Sequence, residues 1–419
     1  MIAVFHKNGL PLTDEKGSAL KKPIAVPRCT APLYVPLSLG GPAQMAMLAT
    51  DTPVAQGDVL FQDAAGFPTL CPVTGTVRTY TAVEHPMYGE LICAVVAPAE
   101  EPGEVKKLEI GSHPDKTEGG IVAVARRAGI VDELDGRPLH EKLTEWQNAG
   151  YHIVADAVEA EPYASSAFAV LREQGEAVRR GLKAAVQATG ATGSNIAVCA
   201  VSPFIKQALS EKFSEGELYF AEERYPVTVY TAEKTELVGR IGVQALVALH
   251  DAIETDVAPA DCVITVAGDG VRESQNVRVP FGTPVQEVLR VCGLDKEAAA
   301  VIAGDVMTGT LLPDISVPVV PGMTCLLVMS SVPVAENGPC IGCGRCAEVC
   351  HKELLPYEIG RRLENMHYDE LSFLHPEECD GCGACTWICP SARDVMYAVL
   401  SAGETDGPIF LNWGGNEDG

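Results

Sequence analysis

Eight of the fifteen cysteines fall between Cys340 and Cys389. Cys340, Cys343, Cys346 and Cys350 follow the spacing C-x2-C-x2-C-x3-C, and Cys379, Cys382, Cys385 and Cys389 repeat it, with Pro390 behind the last. Three closely spaced thiolates wrap one face of a cubane, while the fourth is displaced along a following helix. In paired 4Fe-4S sites of this spacing, the fourth cysteine ligates the other cluster. One ligand set is therefore expected to be Cys340, Cys343, Cys346 and Cys389, and the other Cys379, Cys382, Cys385 and Cys350. Gly342, Gly344, Gly381, Gly383 and Ala384 let the backbone bend closely around the inorganic core and aim amides at its sulfurs. Zinc also takes four thiolates, but its structural sites usually join two separate CxxC knuckles. The first run departs in one respect, because His351 stands where proline would usually follow.

The rest of the composition narrows the function. The 419 residues, 47% of them hydrophobic, suffice for two to four domains. A formal charge of -25 repels phosphate backbones and anionic lipid, which excludes nucleic acid as a natural partner. The start, MIAVFHKNGL, lacks the pattern of a secretory signal, and no apolar stretch has bilayer-spanning length. A cytoplasmic location follows as the expectation. The seven scattered cysteines (Cys29, Cys71, Cys93, Cys199, Cys262, Cys292 and Cys325) have no ligand spacing and read mostly as buried apolar residues. His85, His113 and His140 are isolated and suggest no metal site.

Along the chain the pattern changes three times. Pro36 to Val96 reads as short strands broken by glycine turns. From about Ile121 to Ala258 strand and helix signals alternate: YHIVADAVEAE and NIAVCAV as buried strands, FAVLREQGEAVRRGLKAAVQA as an amphipathic helix, SPFIKQALSEKF as a helix capped by Ser202, and ELVGRIGVQALVALHDAI as another helix. That order implies an α/β layer with some parallel pairing. Cys262 to Met329 suggests a compact α+β unit with a short helix begun by Thr283 and Pro284. The 28 residues between Cys350 and Cys379 carry apolar positions at helical spacing and are expected to pack the cysteine region against the rest of the chain. Arg361 and Arg362 in that insert read either as a partner contact or as a solvated helical face.

The first region resembles the barrel-sandwich hybrid domain of biotinyl and lipoyl carriers, but no lysine lies between Lys22 and Lys106 to carry a swinging arm. VRVPFGTPVQEVL resembles the soluble-ligand-binding β-grasp (SLBB) domain, and the cysteine runs resemble two-cluster bacterial ferredoxins. Taken together, the order resembles the RnfC family, a component of the Rnf electron-transport complex, over nearly the whole chain. The expected fold is multidomain α/β and α+β: residues 1–105 a barrel-sandwich β domain with an N-terminal segment, 106–259 an α/β domain resembling a flavin- and NADH-binding module, 260–332 the β-grasp domain, and 333–419 a ferredoxin-like domain with two 4Fe-4S clusters and a tail. The chain is also similar to the RnfC-like electron-transfer proteins associated with D-proline reductase in anaerobic amino-acid fermentation.

The resemblance implies FMN and NADH as cofactors, held by a Gly-rich loop GGxGFPT and an acidic strand end ECEPY. The chain keeps EAEPY at Glu159 to Tyr163, so Glu159 and Glu161 are the candidates to orient a flavin or nicotinamide. In the place of the loop it has AGIVDELDGRPLHEKL, where Asp132, Glu133 and Asp135 would crowd and repel a phosphate. Gly66, Phe67, Pro68 and Thr69 spell GFPT but lie in the β region, outside any strand-to-helix turn, and read as a chance loop. After Arg224 to Pro226 the family's glycine-rich continuation is replaced by VTVYTAEKTELVGRIG.

Three functions fit these residues. The first is an iron-sulfur electron-transfer protein delivering reducing equivalents, ultimately from NADH, to an acceptor such as D-proline reductase. The second is an FMN-containing NADH:acceptor oxidoreductase within an Rnf-type complex. The third is a redox-sensing or scaffold module. The implied partners are a redox donor and acceptor, and the resemblance adds peripheral association with the inner face of a membrane.

Overall fold

A computed structural model describes residues 9–39, 47–101, 103–108, 118–199, 202–214, 216–221, 224–227, 237–294, 298–332 and 337–403. The chain divides into two compact units. One comprises the described residues of Thr13–Glu223 and Val227–Val332, and the other those of Phe5–Leu12, Arg224–Pro226 and Pro333–Gly419.

The first unit opens with β1 (Leu33–Pro36), β2 (Thr52–Val54), β3 (Val59–Gln62), β4 (Pro68–Leu70), β5 (Gly75–His85) and β6 (Gly89–Pro98). Valine and threonine dominate β5, as suits a pleated, half-buried ribbon. β1, β6, β5 and β2 make one antiparallel sheet in that order, and β3 pairs with β4. Leu33, Val35, Leu60, Phe61, Val77 and Val96 fill the core of this region.

Next come α1 (Glu118–Arg127), α2 (Leu139–Glu145), β7 (Tyr151–Ala157), α3 (Ser166–Thr189), β8 (Gly193–Cys199), α4 (Pro203–Ser210), β9 (Leu218–Ala221), β10 (Leu237–Gly242) and α5 (Val243–Thr255). The sheet order is β10-β7-β8-β9, with every pair parallel. Burial on both faces suits the apolar runs 153–155 in β7 and 196–199 in β8. α3 and α5 approach closely at Gly181, where an added Cβ would lie 2.0 Å from the Leu246 carbonyl oxygen. Ser202 caps α4 as the sequence suggests, accepting from the Phe204 N–H at 3.3 Å.

One expectation is corrected here. ELVGRIGVQALVALHDAI is not a single helix, because its first part is β10 and only the rest is α5. Two glycines explain the break. Gly239 lies under Trp146 and Ile153, where a Cβ would come within 3.0 Å of both, and Gly242 ends the strand against Glu133. A parallel ladder to β7 then outweighs helical periodicity.

The unit ends with β11 (Asp261–Ala267), β12 (Gln275–Pro280), α6 (Val285–Cys292), β13 (Ala300–Ala303), β14 (Thr310–Leu311) and β15 (Cys325–Met329). These strands form a mixed sheet ordered β12-β11-β15-β13-β14, parallel only between β11 and β15. Val285, Val288 and Leu289 of α6 pack with Ile264, Val277 and Val328 of the sheet.

In the second unit α7 (Arg345–Val349), α8 (Pro356–Glu364), α9 (Ala384–Trp387) and α10 (Val395–Gly403) surround the cysteines. The insert between the cysteine runs supplies α8, whose Ile359 and Leu363 pack with Leu371 and with Val399 and Ala402 of α10. Leu10 and Tyr225 exchange two backbone hydrogen bonds of 2.8 Å within this unit. Among the described residues, no helix is long and apolar enough to cross a membrane.

Candidate iron-sulfur site and the filled helix termini

Each cysteine run folds by the same device. Gly342 and Gly344 in the first, and Gly381 and Gly383 in the second, have φ between 66 and 77 degrees, a left-handed bend that L side chains rarely adopt. Each pair curls the chain around its thiols and then opens α7 or α9, so that Cys346 and Cys385 ride on the helices.

The structure gathers the thiols across the runs. Cys350, from the first run, lines one small cavity of about 20 Å³ with Cys379, Cys382 and Cys385. Backbone N–H groups face these sulfurs, from Gly381 to Cys379, Ala384 to Cys382 and Thr386 to Cys385. Burial pushes the Cys382 and Cys385 thiols up to about 12, and the neighbouring thiols add to the rise. Buried thiolates this close together need a metal centre to offset their charge, since metal ligation requires the deprotonated form. The donor set therefore fits an iron-sulfur cluster: four sulfurs lining one cavity, with amide donors facing them.

The other set is more open. Cys346 is buried and packs in one apolar cluster with Cys389, Val395, Tyr357 and also Cys385 of the set above, whereas Cys340 and Cys343 are exposed. The backbone N–H groups of Tyr357 and Ala347 face the Cys346 sulfur. Ile341 and Trp387, each within a cysteine run, are 67% and 54% exposed. Arg361 pairs with Glu358, and Arg362 with Glu358 and Glu370, so both bases are engaged within the unit.

The α/β layer shows the opposite arrangement. At the start of α5 the Glu133 carboxylate accepts from the Gln244 N–H at 2.6 Å and the Ala245 N–H at 3.0 Å. Asp132 accepts from the Gly242 N–H at 3.1 Å and pairs at 2.6 Å with Lys142, which also reaches Asp135 at 2.8 Å. A Cβ on Gly242 would lie within 2.4 Å of the Glu133 carboxyl. Burial, and then the nearby Asp132, hold Glu133 up at about 8; burial also raises Asp132 against the pull of Lys142. Helix N-termini favour oxygen acceptors, charged ones above all, and here the Glu133 carboxyl supplies them. These residues do not fit a flavin phosphate at α5, because the amides that would receive it already bond Glu133 and the phosphate would meet two buried acids.

Glu159 does the same at α3. It accepts from the Ser166 hydroxyl at 3.0 Å and from the Ala167 and Phe168 N–H groups at 2.8 and 3.1 Å. Glu161 accepts from the Met307 N–H at 2.8 Å and from the Thr308 hydroxyl. Buried Lys16 lies beside them and donates to the carbonyl oxygens of Glu161 and Ala164. Burial raises both carboxyls, while Lys16 opposes the rise at Glu159.

Sequence reasoning passed over a cavity of about 660 Å³ in this unit, lined by Phe67, Pro68, Gly129, Glu133, Gln244 and Phe281 among others. Neither Glu159 nor Glu161 lines it. The GFPT stretch does contribute to it, with Phe67 stacked on His140 at 5.2 Å between ring centroids. The signals in the sequence were the GFPT string and the segment AGIVDELDGRPLHEKL, whose Gly129, Glu133 and Gly136 line the same cavity. Of the continuation after Pro226, residues 228–236 lie outside the described residues.

The 4Fe-4S dicluster domain family matches residues 339–392. The C component of an ion-translocating oxidoreductase complex of Pseudomonas aeruginosa is 28% identical over 387 residues, covering 84% of this chain and 49% of its own length. The chain thus spans about half the length of that relative. The C component of a Na(+)-translocating ferredoxin:NAD(+) oxidoreductase complex of Acetobacterium woodii is 25% identical, covering 87% of this chain and 88% of its own. A chain of an NAD+-reducing nickel-iron hydrogenase superposes with a TM-score of 0.45 at 14% identity, covering 71% and 63%. The chain is accordingly a homologue of the C components of Rnf-type ion-translocating oxidoreductase complexes, with a 4Fe-4S dicluster domain near its C-terminus.

Proposed function

We propose that this chain is a conduit for single electrons within an Rnf-type assembly, holding two 4Fe-4S clusters. One uses Cys340, Cys343, Cys346 and Cys389, and the other Cys350, Cys379, Cys382 and Cys385. The observation that carries the reading is the cavity where Cys350 joins three thiols of the second run. When bound, such clusters supply one-electron transfer at potentials set by hydrogen bonds to sulfur and by exposure. The chain's part is to hold eight thiolates, direct amides at their sulfurs, and leave Cys340 and Cys343 at the surface where a redox partner can approach.

NADH gives up two electrons together, so a flavin must split the pair before they reach these residues. Glu133 and Asp132 already hold the N-terminal amides of α5, and this supports placing that flavin in a partner. The acceptor in this reading is a redox enzyme, with D-proline reductase the one that the sequence resemblance implies.

The test is NADH-dependent reduction of the anaerobic protein with and without a flavoprotein donor, followed by EPR. Reduction only with the donor, lost in Cys343→Ala while partner binding persists, is the expected result. Flavin released by acid from the purified chain, or unchanged delivery by the variant, overturns the reading.

A further inference from the structure

The electron-transfer reading leaves the cavity of about 660 Å³ in the first unit without a task. That volume falls within the range of about 300–1,000 Å³ typical of sites for small organic molecules. Three parts of the unit wall it: Leu37 and Phe67 come from the N-terminal strands and their loops, Ile130 and Ala245 from the α/β layer, and Phe281 and Met323 from beside the last sheet.

The lining is chemically one-sided. Its acidic residues are Asp63, Glu133, Glu141 and Asp261, and it holds no lysine, arginine or histidine. Phe67, Tyr88 and Phe281 add three aromatic rings. Two of the acids are engaged by the fold, because Glu133 holds the amides of α5 and Asp261 pairs with Arg278 at 2.7 Å. Asp63 fixes the Phe67 loop through one carboxylate oxygen, which accepts from the Phe67 N–H at 2.7 Å, and Glu141 is exposed. Asp63 and Glu141 both act on the charge of His140, whose ring stacks on Phe67, so the two acids gather at the Phe67 end of the cavity. Arg126 acts there too, which sets two carboxylates against one guanidinium, and burial lowers the His140 pKa and so favours the neutral ring. An anion at that end meets net negative charge, whereas an ammonium group is attracted both by the carboxylates and by aromatic faces.

We propose that this cavity is a binding site for an organic ammonium ion, an amine or quaternary ammonium carried on an apolar body. Asp63 and Glu141 answer the charge, and the Phe67 ring with the aliphatic walls receives the rest. The inference goes beyond the electron-transfer reading and stands whether or not the cysteines hold iron. It also departs from the flavin nucleotide that the family resemblance implies, since the lining offers no cation to receive a phosphate.

The test titrates the full chain, purified without oxygen, with four probes by saturation-transfer NMR: benzyltrimethylammonium, the neutral dimethylbenzylcarbinol of similar shape, phenyl phosphate and FMN. The ammonium is expected to saturate with a Kd of about 1 mM, the scale for a probe of this size. The carbinol and phenyl phosphate should bind at least about tenfold more weakly, and FMN should not compete. Joint Asp63→Asn and Glu141→Gln substitution should weaken the ammonium about fivefold, and Phe67→Leu by a similar factor. Photolabelling with para-azidobenzyltrimethylammonium should mark the stretches 63–70 or 128–141, and excess benzyltrimethylammonium should suppress the label. Should a variant fail to fold, the wild-type probe order and the labelled positions decide. No saturation by the ammonium up to about 10 mM, equal binding of the carbinol or phenyl phosphate, displacement by FMN, or label only outside those stretches overturns the proposal.

Discussion

In the C-terminal unit, folding brings Cys350, Cys379, Cys382 and Cys385 to one cavity whose lining sets a single lysine, Lys352, against four thiolates. At the openings of α3 and α5, folding brings backbone N–H groups to one point and answers them with Glu159 and Glu133. Both are gatherings of ligand donors. The contrast teaches that converging donors make a cofactor site only where the chain has not already satisfied them. A buried acid at a helix N-terminus fills the amides with its own oxygens, whereas crowded thiols need a cation from outside.

The largest expected effect breaks the thiol side of this contrast. Cys343→Ala and Cys385→Ala should each lose about four iron atoms per chain, a whole cubane, measured by iron analysis and EPR. Full iron in both would show that the runs do not hold clusters as assigned. On the other side, Asp132→Ala leaves Lys142 buried at 3% exposure with the half-exposed Asp135 as its remaining ion-pair partner, beside the Trp146 ring. A loss of about 3–5 kcal/mol in denaturant unfolding is expected, typical of a broken buried pair. A loss under about 1 kcal/mol, the scale of a surface pair, would place Lys142 in water and weaken the picture of a closed loop.

Glu133→Ala strips the acceptor from two amides at α5 and should cost about 1–3 kcal/mol. Glu133→Gln sharpens the point through pH. Glu133 is raised from 4.5 to about 8 by burial and by Asp132, so the folded chain binds this proton more tightly than the unfolded one. Its contribution is therefore complete below about pH 4.5 and is lost as pH rises towards 8. Between pH 5 and 8 the wild type should lose stability relative to Glu133→Gln in thermal unfolding. Parallel curves would mean that Glu133 titrates normally and is not enclosed. The smallest effect belongs to Glu159→Ala, about 0.5–2 kcal/mol for a lost cap on α3. No change at all would remove the analogy between the two helix openings.

How much of this was legible depended on whether the signal was local. The cysteine runs, the Ser202 cap and the strands β7 and β8 are written in consecutive residues, and the structure has each of these. Cys71, Cys93, Cys199, Cys262 and Cys325 are likewise buried, as isolated thiols in apolar text suggest. β10 was hidden because VGRIGVQAL has helical spacing, and only the partner strand β7 and the crowding at Gly239 and Gly242 make its first part extended. The acids at 132 and 133 could be read as hostile to phosphate, but their roles could not, since the amides they cap lie 110 residues further along. His351 stood out as a missing proline, and only the fold puts it between Asp380 and Cys382.

Metal and sulfide analysis of the protein purified without oxygen tests the central claim most directly. About eight iron atoms and about eight acid-labile sulfides per chain are expected from two cubanes. Zinc bound to the cysteines, with no acid-labile sulfide, would contradict it.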